Sequence, residues 1–162
     1  MENYTEAMSF FVQATTPREP RSVSARQVSI LFAAILVAFS VAQLFSFEDF
    51  LVELHDVPYI GQLLVVLLPM LITAQVFAIP FLLGMTVSPA FRWVSMVFGW
   101  LVAAFWLGFC SWVVIAGVPL SSIGFLGSVV TLVPGWWAVM VGIALCILAG
   151  WSAWGLWPGK RR

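Results

Sequence analysis

The sequence predicts an all-α integral membrane protein, a four-helix bundle with a short interfacial amphipathic helix between its first and second spans. Three observations predict it. First, the 162-residue chain is 62% hydrophobic and only 9% charged. Soluble domains carry about 25% charged residues, so this chain has too few to solvate a globular surface. Second, four apolar stretches, at about 27–47, 62–85, 92–117 and 135–157, each reach the roughly 20 helical residues that cross a hydrocarbon core. Third, threading four spans puts every basic residue on one side: Arg18, Arg21 and Arg26 in the first tail, Arg92 in the second loop, and Lys160, Arg161 and Arg162 in the last tail. Positive residues near spans favour the cytoplasmic side. The expected placement is therefore a cell inner (plasma) membrane with both termini cytoplasmic.

The domain division follows. Residues 1–26 form a cytoplasmic N-terminal tail, 27–157 the four-span domain, and 158–162 a basic cytoplasmic tail. In the first tail Tyr4, Ala7, Met8, Phe11 and Val12 recur at helical spacing with Glu2 and Glu6 off the stripe, which predicts an interfacial helix. TTPREPRS reads as a linker. No apolar core with early positive charge and a cleavage site precedes the first span, which reads as a retained anchor.

The first span, QVSILFAAILVAFSVAQLFSF, carries Ser40 and Gln43 one turn apart on a shared face, suited to hydrogen-bonding a neighbouring helix. In SFEDFLVELHDVPYIG, Phe47, Phe50, Leu54 and Val57 fall on one helical face and Asp49, Glu53 and Asp56 on the other. That division predicts an interfacial helix ending before Pro58, with Tyr59 at headgroup level. The second span, QLLVVLLPMLITAQVFAIPFLLGM, holds Pro69, Gln75 and Pro80. Each proline removes a backbone donor, and the freed carbonyls need partners from neighbouring helices or hydroxyls. Gln75 lies between the prolines and should face protein.

The third span pairs Gly99 with Ala103 and Ala104 with Gly108. The fourth repeats Gly142, Cys146 and Gly150. Small residues four apart let helices approach closely, so these positions are the expected packing contacts, the fourth-span groove the tightest. Tryptophans mark the ends of both spans as interfacial belts. The connection VPLSSIGFLGSVVTLVPG has no charge and holds glycines and prolines, consistent with a segment that dips into the interface under protein cover.

Chemistry has three candidate locations. Gln43, Thr73 and Gln75, with Cys110 nearby, could frame a pocket for a quinone or lipid headgroup; interhelical hydrogen bonding is the structural alternative. The segment with Glu48, Asp49, Glu53, His55 and Asp56 could present oxygen ligands to a divalent cation, or simply be the solvated side of its helix. With one histidine in the chain no transition-metal site is expected. Cys110 and Cys146 lie at different depths, which disfavours a disulfide. No serine-nucleophile or phosphate-loop pattern is present, so no catalytic residue is assigned. The spans lack the ionisable groups of proton- or ion-coupled transporters and enough polar residues to line a pore. No basic stripe suits nucleic acid.

QLFSFEDFLVEL at 43–54 and AQVFAIPFLLGM at 74–85 resemble the DoxX and MauE-like group of small four-helix bacterial membrane proteins. That group often carries a glutamate in its second span, near where Gln75 stands here. The resemblance implies a link to membrane redox chemistry and cofactor-enzyme maturation. Two functions are therefore expected alternatives. One is a non-catalytic subunit or scaffold whose partner is a membrane protein or a second copy of itself. The other is a redox-accessory protein binding a quinone near Gln75.

Overall fold

The structure, a computed structural model, describes residues 13–17, 19–55, 57, 61–118, 120, 122–127 and 130–158. Among these residues five helices follow in order: α1 (Val23–Phe45), α2 (Phe47–His55), α3 (Gly61–Leu82), α4 (Pro89–Ala116) and α5 (Trp136–Gly155). Four of them are long and apolar enough to cross a membrane. The chain is a small multi-pass membrane protein with the predicted all-α architecture. The interfacial helix expected within residues 1–12, Arg18 and the basic tail from 159 onwards lie outside the described residues.

Capping sets the helix ends and moves them from the positions that hydrophobicity alone suggests. α1 begins at Val23 rather than 27 because Ser22 caps it, its hydroxyl accepting from the Ala25 N–H at 3.1 Å. α4 begins at Pro89 because Ser88 accepts from the Phe91 N–H at 3.2 Å and proline suits a first helical position. α3 stops at Leu82 because Gly84 turns left-handed, with φ of 64°. The Gly84 N–H donates to Phe81 O at 3.1 Å and the Met85 N–H to Pro80 O at 2.9 Å, the paired bonds of a Schellman cap.

The long helices form a ring: α1 packs on α3 and α5, and α4 packs on the same two. One end gathers the start of α1, the end of α3, the start of α4 and the end of α5; it is called the basic end below. There the Arg21 N–H donates to Gly155 O at 3.1 Å, and the Thr15 N–H to Val87 O at 3.2 Å. α2 lies at the opposite end against α3. Its Phe50 and Leu54, and Val57 just beyond it, are buried while Glu48 and Asp49 are exposed, the division its sequence predicts.

Phe32, Leu36, Leu68, Val102, Trp106 and Leu145 fill the interior. Leu31, Val66, Met70, Leu101 and Ile147 stand exposed on the outside. In water such a surface would aggregate; in a bilayer it meets acyl chains, and the backbone polar groups are satisfied within the helices.

Candidate functional site

Three buried polar side chains, Ser40, Gln43 and Gln75, form a chain of bonds across the bundle. Ser40 and Gln43 of α1 sit one turn apart, and both reach Gln75 of α3. The Ser40 hydroxyl donates to Gln75 Oε1 at 2.8 Å, and Gln75 Nε2 donates to Gln43 Oε1 at 3.2 Å. Gln43 Nε2 in turn donates to the carbonyls of Gly124 and Phe125, both at 3.2 Å. Both glutamines are 0% exposed. In hydrocarbon an amide without partners is costly, and here each carbonyl oxygen and each amino group has one.

The receiving carbonyls belong to a non-helical segment that plugs this end of the bundle. Ser122, Ile123, Gly124, Phe125 and Gly127 are buried. Phe125 packs on Trp106 of α4, ring centroids 4.6 Å apart, and on Phe39 of α1 at 5.3 Å. Gly124 has φ of 82°, and a Cβ there would overlap the Phe50 ring; only glycine fits both restraints. The segment closes its own polar groups too: the Ile123 N–H donates to Leu132 O at 2.9 Å and the Ser122 hydroxyl to Val130 O at 3.2 Å. Thus α1, α2 and α4 cover the 122–127 segment.

The other sequence candidates are placed apart from this chain. Thr73 is exposed and its hydroxyl donates to Pro69 O at 2.7 Å, within its own helix. Two residues from Gln75, it points to a different face. Cys110 is a buried free thiol and Cys146 a half-buried one. Among the described residues no three His, Cys, Asp or Glu side chains converge on a metal-sized point; Asp56 and the side chain of Glu53 lie outside them.

The small residues divide into inner and outer sets. A Cβ on Gly142 would stand 2.8 Å from Leu107 Cα and 3.2 Å from its N, so α4 and α5 touch backbone to backbone there. A Cβ on Gly150 would make an ordinary contact with the Trp100 ring at 3.6 Å, and one on Gly99 would stand 3.7 Å from both Ala78 and Phe32. Ala103 is fully buried. Ala104 and Gly108 are exposed, with nothing within 4 Å of a Cβ at Gly108. Of the expected fourth-span groove only Gly142 is close, and a nearer approach lies at Gly155, where a Cβ would overlap Ala25, bringing α5 and α1 together at the basic end.

Ser95 was also missed. This fully buried α4 residue serves the proline-containing turn of α3. Its hydroxyl donates to Phe77 O at 2.6 Å, and to Ala78 O at 3.2 Å, while accepting from the Phe81 N–H at 3.1 Å. Pro80 offers no N–H, so the ladder around it is incomplete, and a hydroxyl from a neighbouring helix supplements it. The signal available in sequence was a lone serine one turn into an apolar span.

At the basic end the polar groups are cationic. Arg92, 9% exposed, donates through Nη2 to Thr15 O at 2.8 Å. Arg21 stacks over Trp154 at 5.1 Å, a cation–π geometry. Arg26 lies half-buried beside Gly84. No family model, curated protein or solved structure matches the chain with significance.

Proposed function

We propose that this protein is a non-catalytic subunit or scaffold of a membrane assembly, docking a helix of a partner, or of a second copy, against α4. The observation that carries the reading is Gly108. A mid-helix glycine costs about 1 kcal/mol relative to alanine. Inside the bundle Gly142 offsets such a cost by admitting Leu107. At Gly108 no described residue takes up the space, and Ala104 one turn earlier is also exposed. A small-residue pair four apart on an outward face suits the close approach of another helix. The enclosed amide chain supports the same reading, because Gln43 and Gln75 already serve each other. The basic end is assigned to the cytoplasmic side of the plasma membrane on the gathering of Arg21, Arg26 and Arg92.

The test is native mass spectrometry in mild detergent with Gly108→Leu and Gly142→Leu. The wild type should carry a second polypeptide or a second copy. Gly108→Leu should lose it while keeping the wild-type unfolding midpoint, whereas Gly142→Leu should lower the midpoint. A monomer holding only phospholipid would count against the scaffold. A mass excess matching a quinone, reduced by Gln75→Leu, would replace it with the redox-accessory reading.

A further inference from the structure

The basic end holds a cleft with a chemistry unlike the rest of the protein. Arg26 of α1 and Arg92 of α4 line it, together with Pro17, Phe81, Gly84 and Trp157. The cleft is narrow and open to solvent, its empty space, mouth included, amounting to about 330 Å³. Only a small atom group fits its interior, and anything larger must sit in the mouth.

The two guanidiniums are fixed differently. Arg92 is anchored by Thr15 O at 2.8 Å and by Thr15 Oγ1 and Val87 O at 3.4 Å each. Arg26 is half-buried, and among the described residues its guanidinium has no hydrogen-bond or ion-pair partner. Its position depends on a bare turn: a Cβ on Gly84 would stand 2.7 Å from Arg26 Nη1. Among the described residues no carboxylate lines the cleft. A cation withdrawn from water and left unmatched is unfavourable, and guanidiniums lining one cleft suit the oxygens of a phosphate.

Depth selects the source of that phosphate. Trp157 lines the cleft and packs edge-on against Trp93, centroids 5.1 Å apart. Trp154 lies under Arg21 at the same end. Tryptophans gather at headgroup level, and basic pockets between spans are known to take anionic headgroups. We infer that the Arg26–Arg92 cleft binds the phosphate of an anionic phospholipid, one phosphate oxygen entering between the guanidiniums and the acyl chains running down the outside of the bundle. This site is independent of the α4 docking face.

The test compares delipidated full-length protein reloaded with phosphatidylglycerol or phosphatidylcholine, read by native mass spectrometry, with a calorimetric titration of inorganic phosphate alongside. Phosphatidylglycerol should bind in preference to phosphatidylcholine. Arg26→Gln should weaken it about fivefold, the effect of one basic residue near an anionic surface. Arg26→Lys should retain part of the preference, and Arg21→Gln, outside the cleft, all of it. Arg26→Gln should unfold at the wild-type midpoint, since no bond within the described residues is removed; a lowered midpoint with unchanged lipid binding would make Arg26 a structural cap of α3 and overturn the site. Equal binding of the two lipids, unaffected by Arg26→Gln, would also overturn it. Inorganic phosphate binding that Arg26→Gln weakens, without lipid preference, would keep the phosphate chemistry and overturn the lipid as its source.

Discussion

The two ends of the bundle use polar side chains in opposite ways. At the plug end they are neutral and closed on each other: Ser40, Gln75 and Gln43 pass hydrogen bonds to the Gly124 and Phe125 carbonyls, sealed from solvent. At the basic end they are charged, and Arg26 stays open to a cleft. The difference follows from depth and charge. A neutral amide deep in a low-dielectric interior can be fully satisfied by a second amide and a pair of carbonyls. A guanidinium is tolerated only where headgroups or water reach it. Closed polarity therefore holds this fold together, and open polarity is where it meets other molecules.

That contrast can be broken by substitution, and the largest effect is expected at Gly124. Gly124→Leu must adopt positive φ and displace the Phe50 ring, which should destabilise the protein by about 3 kcal/mol. Equilibrium unfolding in mixed micelles reads this directly, and wild-type stability would mean that the plug holds nothing. Next is Gln43→Leu, which strips partners from Gln75 Nε2 and two carbonyls; a loss of about 2 kcal/mol is expected. Combined with Gln75→Leu, the effects should be less than additive, because the two amides share a bond. Strict additivity would dissolve the proposed chain into independent residues.

Ser95→Ala sharpens the comparison, since it removes a closed α4 hydroxyl that serves the basic half of α3. It should cost about 1 kcal/mol, intermediate between the plug and the arginines. The smallest change belongs to Arg26→Gln, within about 0.5 kcal/mol on stability. If it matched Gln43→Leu instead, the division between closed and open ends would fail.

Some of this was legible in the chain. The four spans and the two-sided α2 follow from composition and period. Ser40, Gln43 and Gln75 stand out as polar residues in apolar runs. Thr73 stands out equally, yet it bonds Pro69 O in its own helix. Its offset of two residues from Gln75 already placed it on a different face, and the sequence reading did not use that spacing. Ser95 and Gly155 were illegible for another reason. Their importance lies in what faces them, Phe77 and Phe81 for one and Ala25 for the other.

The sequence by itself determined that the chain is helical, that it has four helices long and apolar enough to cross a bilayer, and that Arg21, Arg26 and Arg92 belong at one end. Those properties are carried by hydrophobicity, length and period, which are local. Tertiary structure alone decided that Gln43 and Gln75 bond each other, that 122–127 closes over them, that Gly142 faces inward while Gly108 faces outward, and that Arg26 and Arg92 line one cleft. Each of these depends on the rotational phase and stagger of helices brought together from distant parts of the chain, and packing sets that phase.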